Sequence, residues 1–521
     1  MFALAAIVGT ISYVVFGLGL MARLQSQVLT VVVVGSIVTL GLWVRMQLKI
    51  HHHMPKLSRI EKCLLMLIST QLLINLIGAL GPELGFDALW YHLTLPKIYL
   101  EQTRVFYLPG SLFAYSAIPK LTEMVYLLGL WAHGAVIAKL INYSFGVLIL
   151  AALYRLARTY LSRAYALLTV LVFSSNLVFA WQSITAYVDL ARTWFDVLAL
   201  LAWVTFTQKK KTSLLMVCGA MVGLATATKM IGLSSLLIFV AMLLMHKKRS
   251  IKNLVALVLP AILIPLPWFA FAFIATGNPI FPVFSPFISF SISMPYIPYR
   301  LEDFKQLLLL FFRSSDPLSP IYAMVFPFVF VVRKKLNLTH PVLLYSLLSL
   351  VLWFHLPKDG GGRFALAYLP IWSLAAVLIM SAIQQKFIRA ILLSSVIVIA
   401  MMTIAYRGVA NAKYLPVIVG KETEQQFFMA HLNFSFGDFY DEDGVIKKIV
   451  GDTPVLIMGG HNLFYADFRF VHETTLKSAK EAHQFSYILI FDKELPDQFS
   501  TYRLVYENPT TRAKLYKQSS R

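Results

Sequence analysis

The sequence predicts a polytopic α-helical membrane protein, with about 13 transmembrane helices and a small C-terminal α/β extracytoplasmic domain. Three observations carry that expectation. Of 521 residues, 58% are hydrophobic and only 14% charged, at a mean hydropathy of +0.70. Basic residues gather in short clusters between long apolar runs. From about Tyr406 the composition turns to that of a soluble chain. A soluble domain keeps about a quarter of its residues charged to wet its surface. A chain so depleted has lipid as its main solvent.

Spanning the hydrocarbon takes about 20 mostly apolar residues in a helix, which satisfies its own backbone hydrogen bonds. Candidate runs are 3–20, 27–44, 63–80, 136–154, 166–182, 188–206, 213–228, 230–245, 254–275, 318–332, 341–356, 364–382 and 388–405. The first lacks a basic leader and a cleavage site, and reads as a retained span. Cys63 and Cys218 lie inside apolar runs and read as small packing residues, not a disulfide. The triplet His51–His53 sits in a basic loop and reads as solvated, facing headgroups. The net charge of +21 is spread over such loops, which argues against a nucleic-acid partner.

Alternate loops separate by charge. The set around 45–62, 155–165, 207–212, 246–253, 333–339 and 383–389 holds 20 basic residues against one acid, Glu61. Positive loops stay in the cytoplasm. The N-terminus is therefore expected inside, and residues 81–120, 276–317, 357–363 and those after about 406 outside. The two expected units are 1–406, the membrane domain with a first outer loop at 81–120, and 407–521, the extracytoplasmic α/β domain. In the latter, strand patterns appear at Val455–Met458, Tyr487–Phe491 and Leu504–Glu507, with a helical pattern at Glu422–Leu432.

The first outer loop runs from Gly81 to Lys97. Asp87 follows Gly85 at a predicted helix start, where a carboxylate can cap backbone N–H groups. Trp90 and Tyr91 suit headgroup depth, as an amphipathic helix lying on the bilayer would place them. On spacing alone, Asp87 as a cap and the rings as an anchor remain an equal reading. Asp189, Arg192 and Asp196 recur at i, i+3 and i+7 on one helix face. Ionisable residues within a span mark functional sites by default, though a self-neutralising ion row is the alternative.

The stretch Phe86–Lys97 resembles the first outer loop of membrane-embedded C-type glycosyltransferases, in particular the bacterial relatives of protein O-mannosyltransferases and aminoarabinose transferases, glycosyltransferase family 39-like. Similar pieces follow in order: Pro119-Lys120-Leu121-Thr122-Glu123, Ala227-Thr228-Lys229, Thr276-Gly277-Asn278-Pro279, Arg363-Phe364 through Pro370, and Tyr414-Leu415-Pro416. The resemblance implies a glycosyltransferase in the plasma (inner) membrane. It would move a hexosyl or pentosyl group from a polyprenyl-phosphate donor to a glycan, lipid or protein acceptor on the outer face, by inverting displacement. In that setting Asp87 is the expected general base. Tyr91, His92, Lys97, Glu123, Asp189, Arg192, Lys229, Asn278 and Arg363 are the expected donor and substrate contacts.

The family usually carries two near-adjacent acids in this loop. Here Ala88 follows Asp87, and Glu83 is the nearest acid upstream. A single base with no obligatory metal and no cofactor is expected, and a divalent ion is not indicated. Arg363 follows Lys358-Asp359-Gly360-Gly361-Gly362, a stretch able to close on phosphate oxygens. An O-antigen ligase or polymerase is the runner-up, but it would want its chemistry in one large late loop. A transporter would show inverted repeats or paired broken helices, and none is evident in the sequence.

The charge pattern makes a direct topological prediction. A cysteine at Ser213 should react with an impermeant thiol reagent only from the cytoplasmic side, and one at Gly437 only from outside. The reverse labelling would overturn the orientation.

Overall fold

The computed structural model describes residues 1–48, 56–285, 317–333, 336, 340–354, 361–491 and 493–519. His51–His53 and the Lys358–Gly360 part of the glycine loop lie outside the described residues. In the first half of the chain the helices are α1 (Phe2–Leu20), α2 (Ser26–Leu48), α3 (Arg59–Leu80), α4 (Thr94–Glu101), α5 (Leu121–His133), α6 (Ala135–Ala157), α7 (Arg163–Ser174), α8 (Leu177–Gln182) and α9 (Asp189–Lys209). Then come α10 (Ser213–Thr228), α11 (Leu233–Leu244), α12 (Ile251–Leu263) and α13 (Leu266–Thr276). Helices Pro341–Phe354, Leu369–Ala382 and Lys386–Ala412 complete the bundle.

Among the described residues, six helices are long and apolar enough to span, or seven if α12 and α13, bent by 49°, form one. Six shorter apolar helices of 10–17 residues accompany them. The expected runs are thus helical, but only about half reach spanning length by themselves. The bend has an identifiable cause: Pro260 lies within α12 and Pro265 caps α13, and neither can donate a backbone hydrogen bond. The last long helix continues to Ala412, beyond the expected boundary near 406.

Helix α9 is the axis of the bundle. Its most apolar window is 89% buried, against 6% for α2, which therefore faces lipid. Trp194 and Trp203 on α9 and Trp372 on helix 369–382 are buried throughout. Of the two cysteines, Cys218 is buried and Cys63 exposed on the apolar face of α3, both as free thiols.

Loop contacts gather at the two ends of the bundle. On one face, Arg163 donates to the carbonyl of Lys56 at 2.7 Å and to Glu61 at 2.7 Å. On the other, here the upper face, the N–H groups of Val105 and Leu24 donate to Gly19 and Thr103. Helix α5, at 13 residues, rises only about 20 Å, too short for a core of about 30 Å. Its start meets the middle of α1, where Ser12 donates to the Leu121 carbonyl at 2.6 Å.

The C-terminal domain contains a five-stranded sheet in the order β2-β1-β3-β5-β4. Its strands are β1 (Val455–Met458), β2 (Phe470–His472), β3 (Tyr487–Phe491), β4 (Tyr502–Asn508) and β5 (Ala513–Gln518). β1 pairs parallel with β2 and β3, while β5 runs antiparallel to β3 and β4. The expected helix near 422–432 is Glu424–His431, opened by a capping box between Thr423 and Gln426. The domain rests on the first upper loop: Phe464 N–H donates to Leu89, and Tyr465 Oη donates to the Glu83 carbonyl at 2.9 Å.

Candidate functional site

The first upper loop is held by buried charges at its start. Lys139 of α6 donates to the carbonyls of Gly78, Gly81 and Pro82 at 2.6–2.9 Å, a cation at the open end of α3. Glu83 is fully occupied: one oxygen accepts from Leu84 N, Gly85 N and Thr185 Oγ1, the other from Ala186 N at 2.7 Å. Gly85 allows this close approach, since a Cβ there would meet Thr185 Oγ1 at 2.1 Å. Glu83 is thus a clamp between residues 81–85 and the loop before α9, which delivers Asp87 and Asp189 to one place.

Asp87 does not act as a helix cap. It precedes a single wide turn of π type at Ala88–His92 and makes no side-chain cap bond. Its Oδ2 instead accepts from Arg363 Nη1 at 2.6 Å and from Tyr91 Oη at 3.2 Å. The same guanidinium donates through Nε to Asp189 Oδ2 at 3.0 Å. Asp189 Oδ1 takes Lys229 Nζ at 2.6 Å. Tyr187 completes the seat: its hydroxyl accepts the Asp87 N–H at 2.9 Å, and its ring lies 4.4 Å from the guanidinium carbon. Two acids and two bases form a neutral chain, Asp87–Arg363–Asp189–Lys229.

Burial works against ionisation of Asp87, but Arg363 outweighs it, helped by His92 and Lys229, and holds the carboxyl below the ordinary range. Asp87 is therefore ionised at neutral pH, and its Oδ1 accepts no hydrogen bond among the described residues.

Beside this chain lies a second polar group. His92 Nδ1 and Glu123 Oε1 pair at 2.9 Å, both buried. Burial keeps His92 below the usual imidazole range despite the Glu123 bond. Lys120 is 1% exposed, and its ammonium has no hydrogen-bond partner among the described residues, nor have His92 Nε2 and Glu123 Oε2. It stands 5.7 Å from the centroid of the Tyr91 ring. A buried lysine without an acceptor is costly unless an anion completes it.

Other expected residues go elsewhere. Lys97 donates to the carbonyls of Phe464 and Ala466 at 2.8 Å and to Asp467 at 3.0 Å, a clasp on the C-terminal domain and not an open cation. Asn278 turns its side chain onto its own loop, at Val283 O and Ile280 N. Arg192 does not join the ion chain and pairs with Asp196 at 3.4 Å. His461 stands 6.3 Å from the ring centroids of Phe86 and Trp90, next to the Asp87 loop. Sequence reasoning missed Lys120 and Tyr187. The first carried a signal, as the only cation at the return of the loop.

Residues 98–274 match the family model described as dolichyl-phosphate-mannose-protein mannosyltransferase. The fold is similar to that of ArnT from Cupriavidus metallidurans bound to undecaprenyl phosphate, with a TM-score of 0.60 at 14% identity over 88% of this chain and 98% of that one. The two chains share a fold over nearly their whole lengths. The apo form of the same ArnT superposes with a TM-score of 0.57 at 14% identity, over 88% of this chain and 98% of that one. Sequence comparison with curated proteins finds no match. The C-type glycosyltransferase resemblance thus rests on a matched middle segment and on the fold of nearly the whole chain. Among the described residues no three His, Cys, Asp or Glu side chains gather as a metal site would require.

The ion chain predicts a stability effect. Asp189→Asn leaves Arg363 and Lys229 facing one another in a buried setting, which typically costs about 3–5 kcal/mol. Thermal melting in detergent should show a marked loss, and Asp189→Asn combined with Lys229→Met should recover part of it. Unchanged melting of the single variant would show that the cluster is not holding these elements together.

Proposed function

We propose that the chain transfers a sugar from a polyprenyl-phosphate donor to an acceptor hydroxyl on the outer face of the membrane, inverting the anomeric centre. The observation that carries this reading is Asp87, with one carboxylate oxygen on Arg363 and the other free among the described residues, at the end of the neutral chain Asp87–Arg363–Asp189–Lys229 and near the unpaired Lys120. A nucleotide sugar is confined to the cytoplasm, so an outward site needs a donor that crosses with its lipid.

The chemistry is direct. Asp87 Oδ1 accepts the acceptor hydroxyl's proton as that oxygen bonds to the anomeric carbon. The bond from the anomeric carbon to the phosphate oxygen breaks, and the lipid phosphate departs with the electron pair. Such a leaving group needs cations more than an acid. Lys120 supplies an uncommitted charge. Arg363 and Lys229 supply two more by sharing the contacts they now make to carboxylates, and the Arg363 fork suits phosphate oxygens. As phosphate draws on Arg363, its hold on Asp87 weakens and the carboxylate becomes a better base. No metal is part of this mechanism.

Asp87→Asn keeps the shape and one hydrogen-bond acceptor for Arg363 but cannot take a proton. Transfer from a prenyl-linked donor should fall by about 10²–10⁴-fold at equal protein level. The pH profile gives a second check. Asp87 works ionised, so kcat/KM should hold until pH falls through its depressed pKa, below the ordinary value of about 3.9. Arg363→Gln should move that acid limb upward. Transfer by Asp87→Asn within a few-fold of the parent would sink the base assignment.

A further inference from the structure

Three residues of the upper ion chain each begin or precede a different helix, and each has a polar partner deeper along the same strand of chain. Asp189 opens α9, and Arg192 follows three residues later, about 4.5 Å down the axis. Lys229 ends α10, and Ser234 follows in the first turn of α11. Arg363 lies in the turn at Gly361–Ala365, and Tyr368 follows as the residue that caps helix 369–382. The lower three meet one another, as the upper three do. Ser234 Oγ and Tyr368 Oη lie 2.7 Å apart. Arg192 Nη2 donates to both, at 3.4 Å each. Asp196, one further turn down α9, anchors the guanidinium from below at 3.4 Å.

We propose that Arg192, Ser234 and Tyr368 are positioning residues, a lower tier that sets the spacing of Asp189, Lys229 and Arg363 above it. This rests on the proposed transfer reaction for its consequence, but the geometric claim stands on the contacts alone. The two tiers are built on the same three chain segments, so any slide or rotation of one helix must break contacts in both. The lower tier is buried: Arg192 is 2% and Tyr368 0% exposed. An arginine placed there has a desolvation cost that packing by an apolar residue would avoid. Its three neighbours come from the helices that carry the ion chain, which gives the charge a directional role that an apolar contact lacks. The upper tier is partly open, with Arg363 15% and Lys229 18% exposed. When phosphate draws Arg363 and Lys229 away from Asp189, the upper contacts loosen, and the lower tier keeps the helices in register through the reaction.

The test is Tyr368→Phe, which keeps the ring and removes only the hydroxyl shared by Ser234 and Arg192. With the full-length protein in detergent and a prenyl-phosphate sugar, kcat should fall about ten-fold, since small misplacements of catalytic groups are costly. The apparent KM for the acceptor should change little. In an Arg363→Lys background the same substitution should cost less than about two-fold more, because the spacing it protects is already lost. A merely structural tyrosine would act additively in the two backgrounds. If the parent transfers sugar and Tyr368→Phe keeps full activity, or its effect is additive, the tier has no positioning role and the proposed function survives. If the parent transfers from no prenyl-linked donor, the functional reading fails, and melting decides the tier by itself. Non-additive melting of Tyr368→Phe with Asp189→Asn would uphold the coupling, and additive melting would overturn it.

Discussion

The site depends on one guanidinium. Arg363 joins Asp87 to Asp189 through two of its nitrogens, at 2.6 and 3.0 Å, and lies over the Tyr187 ring. These partners come from parts of the chain 276 and 174 residues away. A lysine presents one compact charge and has no planar fork with which to serve both carboxylates at once. Without the bridge, two acids would share a buried site with no common counter-charge, and one would have to take up a proton. The bridge is thus what keeps Asp87 ionised, and in the proposed reaction it is also what a phosphate shares.

The surrounding structure serves to bring that bridge about. Glu83 and Lys139 spend their hydrogen-bonding capacity on backbone groups at the start of the first upper loop. Lys97 spends its own on the C-terminal domain, so the loop is held from below by the bundle and from the side by the segment around Phe464. The wide turn at Ala88–His92 carries Tyr91 and His92 back toward Asp87 and Glu123. Among the groups left uncommitted within the described residues are one carboxylate oxygen of Asp87 and the ammonium of Lys120, the two that the proposed transfer needs open.

Much of the architecture could be read from the sequence because the bilayer imposes strong patterns. The apolar runs became helices, and two of the basic loops meet on one face through Arg163, Lys56 and Glu61. β1 and β3 appeared as hydrophobic runs, whereas β2 has only three residues and β5 is interrupted by Lys514 and Lys517, so neither stands out. Asp87, Asp189, Lys229 and Arg363 were each recognisable as charges out of place near or within a span. That they form one chain was not, since pairing across such separations depends on tertiary packing. The same limit misjudged Lys97 and Asn278, whose residue types suit substrate contacts but whose acceptors lie on other protein segments. The helix-cap reading of Asp87 failed because a charged partner competes better for a carboxylate than backbone N–H groups do. Arg192 looked like part of the same row as Asp189, and only the contacts with Ser234 and Tyr368 place it one tier lower.

The central claim is that the unpaired buried ammonium and the Arg363 bridge together receive a lipid phosphate. Equilibrium binding of undecaprenyl phosphate, carrying no sugar, to the purified protein tests this most directly. Saturable binding by the parent, weakened at least about ten-fold by Lys120→Met at a melting temperature no lower than the parent's, is the predicted result, as loss of a charge-assisted bond to a buried anion would require. Binding of equal strength in the parent and in Lys120→Met, or no saturable binding by the parent, would contradict the account.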